Sequence, residues 1–224
     1  MADDPSETTK AAQILAGARA AFVELGYEGT SVEEIARRAG VSKATLYSHF
    51  TDKRAIFSAF IRHVCQQQVS RLIRFDQAEE TAAAALGRIA RDYIEFLLSP
   101  FAMSMFRLIV AEVQRFPEIG REFLETGPDQ AMRRLAQLLA AADARGELQI
   151  PDAYVAAHQF AALCRGDLFF RWLLRAKTEV TPAEIAEAAQ TATTAFLNAY
   201  RRTSETVSPA AQTEVQRDTS QGET

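Results

Sequence analysis

A seven-residue segment at positions 43–49 combines small, hydroxyl-bearing and cationic side chains in the order Lys-Ala-Thr-Leu-Tyr-Ser-His. If the segment forms a short helix, Leu46 and Phe50 share its inner face, because residues four apart are neighbours on a helix. The polar side chains then lie on the outer face beside Ala44, which is small enough to allow close approach. Such a face fits the major groove of DNA and can donate hydrogen bonds to bases and phosphates. The segment therefore predicts a DNA-reading helix.

The residues before this segment carry the signals of another helix and a tight turn. Thr30 and Glu33 have the spacing of a capping box, in which each side chain binds the other residue's backbone N–H group. Gly40 can adopt the left-handed conformation that ends a helix, and Ser42 can cap the next one. Apolar residues recur between them at helical spacing: Val32, Ile35, Ala36 and Ala39. Residues 30–50 therefore predict a helix-turn-helix.

Two cations, Lys53 and Arg54, open a third predicted helix. Cations in a first turn oppose the helix dipole, whose N-terminal end attracts negative charge. A phosphate gripped by Lys53 and by free backbone N–H groups would explain the arrangement. The alternative is a solvated, charged helix start in which Asp52 matches the dipole. We predict a bound phosphate, because the alternative explains Lys53 alone and not the whole stretch of residues 51–54.

Helical periodicity extends over most of the chain, so the predicted fold class is all-α. Residues 9–55 form the predicted three-helix DNA-binding domain, whose last helix continues to about 75, and a helical bundle follows at 76–202. Predicted helices in the bundle cover residues 81–98, 101–114, 129–144, 151–176 and 181–200, with a short one near 117–127. Residues 1–8 and 203–224 are predicted to be a disordered lead-in and tail, because they contain few large apolar residues.

Charge is distributed unevenly along the 224 residues. The net charge is −4, yet residues 9–62 contain eight Lys/Arg and only five Asp/Glu. A basic head on an acidic body is expected when one module alone contacts phosphates. Cys65 and Cys164 lack metal-ligand spacing, so we predict two buried apolar thiols and no metal site. The polar N-terminus and the short apolar runs predict a cytoplasmic protein without a membrane segment.

Within residues 14–60, the sequence AFVELGYEGTSVEEIARRAGVSKATLYSHFTDKRAIF resembles the DNA-binding domain of the TetR family of bacterial transcriptional regulators. The turn, the caps, the core and the recognition positions all agree with that family's pattern. The resemblance implies a set of DNA-contacting positions: Thr30 or Ser31, Lys43, Thr45, Tyr47, His49 and Lys53. Of these, Tyr47 and Lys53 would mainly contact phosphates. The cap residue Ser42 and the outer-face residues Ala44 and Ser48 complete the predicted DNA-binding set.

The segments FRLIVAEVQRFPEIGREFLETGP and CRGDLFFRWLL are similar to the AefR-like C-terminal domains of the same family. This similarity implies that residues 76–202 bind a ligand and dimerise. Small-molecule sites are usually apolar cavities with a few polar anchors, although aromatic stripes at helical spacing are also typical of plain core. The predicted pocket residues are aromatic, sulfur-containing or arginine: Tyr93, Phe96, Met103, Phe106, Arg107, Arg165 and Phe169.

The last two predicted helices carry more apolar surface than one core needs. The penultimate helix has two apolar faces, and the last is rich in alanine, which lets helix axes approach closely. A four-helix interface between two copies would use both features. The predicted interface residues are Phe170, Trp172, Leu174, Ala189, Ala192 and Phe196. Arg165 and Asp167 could form an ion pair there.

These patterns predict a homodimeric repressor that a small, largely apolar ligand releases from a pseudo-palindromic DNA operator, with no cofactor and no catalytic residues. Two alternatives remain: a ligand-binding helical protein that has lost DNA binding, and a small all-α enzyme built on His158, Arg165 and Asp167. Arg165 and Asp167 are two residues apart and do not share a helix face. No nucleophile stands beside a base, so the enzyme is the weaker alternative.

Overall fold

The computed structural model describes residues 5–72 and 81–202, and within them the chain forms ten helices and no strand. The helices are α1 (Pro5–Leu25), α2 (Val32–Ala39), α3 (Lys43–His49), α4 (Lys53–Leu72), α5 (Ala82–Leu98), α6 (Pro100–Glu112), α7 (Pro117–Thr126), α8 (Pro128–Ala144), α9 (Ala153–Leu173) and α10 (Pro182–Ala199). The all-α prediction is confirmed. Helix α1 begins at Pro5, so residues 5–8 belong to it rather than to a lead-in. The predicted tail and the predicted boundary at 76–80 lie outside the described residues.

The predicted capping box at the start of α2 is wrong by one position. Ser31 is the N-cap, and its hydroxyl accepts a hydrogen bond of 3.0 Å from the N–H group of Glu34. The hydroxyl of Thr30 instead donates to the carbonyl of Gly26 at 2.6 Å. The other two signals are confirmed, because Gly40 ends α2 with φ 66° and Ser42 caps α3.

Helix α4 joins the two hydrophobic cores of the chain. We call α1, α2, α3 and the first half of α4 the N-terminal module. The first half of α4 contributes Ile56, Phe57 and Phe60 to the core of this module, where they pack with the other three helices. The last turns of α4 contribute Val69 and Leu72 to the larger core. The helix therefore packs on both the module that carries α3 and the rest of the chain.

The N-terminal core also includes side chains from beyond the predicted domain boundary. Met105, Leu108 and Ile109 of α6 and Ile119 of α7 are buried in it. Ion pairs join the same elements at the surface: Arg54 with Glu118 at 3.0 Å, Arg62 with Glu122 at 2.9 Å, and Arg115 with Glu28. Packing thus attaches α6 and α7 to the N-terminal module, although they follow α5 in sequence.

Helices α5, α8, α9 and α10 enclose the larger core. The rings of Phe160 and Phe196 meet edge to face in it, with centroids 5.1 Å apart. Ala189 and Ala192 are buried with them, because α10 packs closely on α5 and α9 of the same chain. The placement of Ala189, Ala192 and Phe196 at a dimer interface is therefore wrong.

Helix α9 is interrupted at Gly166, whose φ of 46° and ψ of −157° are not helical. Only glycine adopts this combination readily, because it has no Cβ. The interruption lets the residues after 166 change direction relative to the first half of α9.

Both cysteines are free and buried, as predicted. Burial raises the pKa of the Cys65 thiol to about 11 and that of Cys164 to about 12. Among the described residues no single helix has the length and apolar composition to cross a bilayer, and α5 with α6 meets that test only as a pair bent by 62°.

Candidate nucleic-acid interface

Helix α3 presents one polar face to solvent and anchors the opposite face in the core. Leu46 is fully buried, and Phe50, at the end of the helix, packs against the same cluster. Tyr47 is 47% exposed. Ser42, Lys43, Ala44 and Ser48 are also exposed, whereas Thr45 and His49 are half-buried. We call the outer face formed by residues 42–45 and 47–49 the α3 ridge.

The hydroxyls of the α3 ridge already make hydrogen bonds within the helix. Ser42 Oγ accepts from the N–H of Thr45 at 3.0 Å and lies 2.8 Å from Thr45 Oγ1. Ser48 Oγ donates to the carbonyl of Thr45 at 2.7 Å. Each hydroxyl keeps further acceptor capacity, since it has two lone pairs and one proton. These bonds limit how the hydroxyls can point, and so they orient the ridge before any contact with a ligand.

Lys43, at the start of α3, forms an ion pair with Glu33 of α2. Hydrogen bonding from Lys43 lowers the pKa of the Glu33 carboxyl. Both side chains are more than half exposed, and exposed ion pairs are weak because water and salt screen them. A phosphate could therefore replace Glu33 as the partner of Lys43.

Arg38, which was not among the predicted site residues, holds α2 against α1. Its guanidinium donates to Glu34 at 2.6 Å, to Glu24 at 2.7 Å and to the carbonyl of Ala20 at 3.0 Å. Hydrogen bonds from Arg37 and Arg38 lower the pKa of Glu34 to about 2. The i,i+4 spacing of Glu34 and Arg38 is the signal that was available in the sequence.

One predicted DNA contact, Thr30, is buried within the module, and another, Lys53, is half-buried. Thr30 is 1% exposed, and its hydroxyl is bound to Gly26. The Thr30 side chain is therefore not presented to a ligand, which corrects its prediction as a DNA contact. Of the pair Thr30 or Ser31, only Ser31 is exposed. The ammonium of Lys53 donates to two backbone carbonyls, those of Tyr27 and Thr30.

Comparison with known proteins identifies both halves of the chain. Residues 14–60 match the model of bacterial regulatory proteins of the tetR family, and residues 84–202 match the AefR-like transcriptional repressor C-terminal domain. The chain belongs to the TetR family. The HTH-type transcriptional regulator BetI of Cronobacter sakazakii is 32% identical over 178 residues, which are 78% of this chain and 82% of that protein. Members of this family are transcriptional regulators, not enzymes.

Solved structures of similar regulators share most of the fold. One from Mesorhizobium loti has a TM-score of 0.78 at 28% identity and covers 88% of this chain and 99% of its own. The flavonoid-responsive regulator FrrA has a TM-score of 0.74 at 33% identity, with 87% and 98% covered. The resemblances stated from the sequence, to the TetR DNA-binding domain and to the AefR-like C-terminal domain, are both confirmed.

The predicted pocket residues of this TetR-family chain fall into separate environments. Phe106 of α6 and Phe169 of α9 meet edge to face at 5.8 Å, and Met103 is buried. Tyr93 and Phe96 pack against the larger core, and burial raises the pKa of the Tyr93 hydroxyl. Two pairs of the set therefore interact: Phe106 with Phe169 through their rings, and Tyr93 with Arg165, whose charge partly opposes the rise in the pKa of Tyr93.

The two arginines of the predicted pocket also differ from each other. Arg107 donates at 2.7 Å to the carbonyl of Leu173, the last residue of α9, where a cation suits the helix dipole. Arg165 is exposed. An open groove of about 480 Å³ lies elsewhere, at the start of α4, where it is lined by Thr51, Asp52, Arg54, Ala55, Ser58 and Glu118.

Helix α9 and the residue just after it carry several exposed apolar side chains. Phe170 is 56% exposed and Leu174, just after the helix, is 74% exposed; Val155 and Leu163 are also exposed. We call these four residues the α9 stripe. Trp172 is half-buried against the larger core. Thus two of the six predicted interface residues, Phe170 and Leu174, are available to a partner, and Trp172 is partly available.

The residues of the alternative enzymatic site engage different partners. Asp167 pairs with Arg171, and His158 packs edge to face on Tyr154 with centroids 4.7 Å apart. Within one chain Asp167 thus pairs with Arg171 and not with Arg165, and a pair of Arg165 with Asp167 at a dimer interface stays a prediction. In the part of the chain that the structure describes, no group of three or more His, Cys, Asp or Glu side chains could hold a metal ion.

Proposed function

We propose that the protein is a cytoplasmic homodimeric repressor that a small, largely apolar ligand releases from a pseudo-palindromic operator. The α3 ridge carries the DNA-binding part of this proposal, because it is outward-facing, polar and anchored from beneath by the fully buried Leu46. A helix held in this way can enter a major groove without losing its own core contacts. The basic charge of residues 9–62 adds long-range attraction to DNA.

The α9 stripe supports the homodimer. Its four large apolar side chains are exposed in the single chain and leave apolar surface for a partner to cover. In a two-fold dimer the same surface serves both subunits. The two α3 ridges must then face the same side of a duplex about 34–36 Å apart, or at a multiple of that distance.

The contact between α6 and α9 supports the ligand part of the proposal. Phe106, Phe169 and the buried Met103 are apolar and polarisable, and Arg107 supplies a cation at their edge. The relative FrrA is named for its response to flavonoids, so a flavonoid is a rational first compound to test. A ligand can change DNA binding only as far as its affinities for the two states differ.

Selection of bound duplexes from a random DNA pool tests the proposal. We expect enrichment of an inverted repeat, and an affinity for it whose logarithm falls with log salt at about −0.9 per neutralised phosphate. Repeating the selection with a flavonoid and with other apolar compounds tests release. Failure to enrich any sequence at low salt would contradict the DNA-binding proposal. Enrichment of a single half-site would contradict the dimer alone.

A further inference from the structure

The carboxylate of Glu33, which was not among the predicted site residues, lies between two predicted DNA contacts. The ammonium of Lys43 donates a hydrogen bond to its Oε1 atom. This bond lowers the pKa of the Glu33 carboxyl most, and the backbone N–H of Glu33 and the hydroxyl of Ser31 lower it further. The carboxylate is therefore ionised and adjacent to both Ser31 and Lys43.

Two helices fix the position of this carboxylate at the edge of the α3 ridge. Glu33 is the second residue of α2, and Lys43 is the first residue of α3. The Lys43 ammonium also lies 5.9 Å from the centre of the Tyr47 ring, within the range of a cation–π interaction. Both members of the ion pair are more than half exposed. The carboxylate is therefore accessible to a duplex that approaches the α3 ridge.

The dipole of α2 is matched without Glu33. An acid in the first turn stabilises a helix, and Glu34 is a second acid in that turn. Glu34 also accepts hydrogen bonds from Arg37 and Arg38, whereas the side-chain partners of Glu33 lie toward the α3 ridge. A carboxylate close to DNA phosphates is repelled by them, and the ion pair with Lys43 reduces that repulsion.

The chemistry of the major groove limits what an ionised carboxylate can bind there. It accepts hydrogen bonds and cannot donate them. Guanine presents only the acceptors O6 and N7 in this groove, and thymine presents the acceptor O4 and a methyl group. Adenine presents a donor at N6 beside an acceptor at N7, whereas cytosine presents the donor at N4 alone. Cytosine is therefore the base that a carboxylate prefers.

We propose that Glu33 is a specificity-determining residue whose carboxylate, held beside the α3 ridge by Lys43, accepts a hydrogen bond from cytosine N4 in each operator half-site. At other bases the carboxylate meets an acceptor or a methyl group, and binding is weaker. Repulsion of wrong partners contributes to specificity as much as attraction of the right one does. This inference rests on the proposed DNA-binding function.

Glu33→Ala tests the proposal, with Glu28→Ala as the matched control. The side chains of Glu28 and Glu33 are both 63% exposed and each pairs with one cation, but the partner of Glu28 is Arg115, between α6 and α7. Each variant is used to select duplexes from a random pool. Wild type and Glu28→Ala should enrich the same half-site with a cytosine at one fixed position. Glu33→Ala should lose about tenfold of that preference, and an unchanged preference would overturn the proposal.

The second readout compares the affinities for the selected duplex and for random DNA, measured well below the unfolding temperature. Glu33→Ala should lower the ratio of the two affinities about tenfold, and it should bind random DNA more tightly because a repelling charge is gone. Glu28→Ala should keep the wild-type ratio. Equal weakening of Glu33→Ala on both duplexes would show that Glu33 only supports α2, and it would overturn the proposal.

Glu33→Gln is a second variant in case the alanine variant fails to fold. Glutamine has nearly the same shape, and its amide pairs with N6 and N7 of adenine. The preferred base at the same position should therefore change from cytosine to adenine, and a cytosine preference of wild-type strength would overturn the proposal. If wild type enriches no sequence, the proposed function fails and this inference fails with it. If wild type enriches an operator that Glu33→Ala reads equally well, this inference alone fails.

Discussion

Replacement of Phe170 by alanine should weaken self-association of the chain. Complete burial of a phenylalanine side chain contributes about 1.5–3 kcal/mol. Because Phe170 is 56% exposed in the single chain, roughly half of that, about 1–1.5 kcal/mol, is available at an interface. A two-fold interface contains the residue twice. We therefore expect a loss of about 2–3 kcal/mol, or about a 30- to 150-fold increase in the dimer dissociation constant.

Sedimentation over a range of protein concentrations, or subunit exchange between labelled chains, measures this change. Leu124→Ala is the matched control, because Leu124 of α7 is 51% exposed and lies outside the α9 stripe. Phe170 also touches Phe169, with centroids 5.4 Å apart, so thermal unfolding must show that the variant remains folded. Binding to a full inverted repeat should weaken in parallel, whereas binding to a half-site should not.

Two results would refute this reasoning. The first is a dissociation constant of Phe170→Ala within about threefold of wild type, since even the lower estimate of about 2 kcal/mol is much larger. The second is an equal effect of Leu124→Ala, because any exposed apolar residue would then serve as well. Either result would remove the α9 stripe from the proposed dimer.

Three further predictions concern the α3 ridge, acid stability and backbone conformation. Tyr47→Phe should weaken binding to specific and random DNA alike, whereas Thr45→Ala should relax base preference; gel shifts with both duplexes distinguish them, and equal losses would contradict the division. The depressed pKa of Glu34 contributes stability that is present above pH 4.5 and is lost as the pH falls toward about 2. Glu34→Gln should therefore reduce the fall in melting temperature between pH 4.5 and about 2. If the melting temperatures of the variant and the wild type fall in parallel over that range, the prediction is wrong. Urea unfolding should show that Gly166→Ala lowers the free energy of unfolding by about 1–3 kcal/mol, because Gly166 has a positive φ. Gly87→Ala should raise it by about 0.5–1 kcal/mol, because Gly87 lies within α5 and has open space around the added carbon.

Local signals in the sequence were sufficient for α3 and its turn. Gly40 favours a helix end, Ser42 a helix cap and Leu46 a buried position, and these three roles are compatible with one another. The start of α2 was different, because Thr30 and Ser31 each have a glutamate three residues later. The local sequence does not decide whether Thr30 with Glu33 or Ser31 with Glu34 begins the helix. The choice depends on the Gly26 carbonyl, which binds the Thr30 hydroxyl and leaves Ser31 as the cap.

The remaining differences arose where a partner is distant in sequence. The intramolecular partners of Lys53, the carbonyls of Tyr27 and Thr30, become its neighbours only in the folded chain, and its contact with a phosphate stays a prediction. Alanines in α10 indicated close helix approach correctly. Periodicity does not say which helix approaches, however, and α5 and α9 of the same chain fill that role for Ala189 and Ala192.

The two faces of α6 connect the proposed ligand contact with the DNA-binding module. Phe106 and Arg107 contact α9, whereas the adjacent Met105 and Leu108 are buried in the N-terminal core that includes α4. A compound inserted between Phe106 and Phe169 must displace α6 or the part of α9 that follows Gly166. Displacement of α6 would disturb the packing around the first half of α4, whereas the part of α9 after Gly166 packs on the larger core, which includes only the last turns of α4. Faster hydrogen exchange in the first half of α4 on ligand binding would indicate the first route, and unchanged exchange there would exclude it.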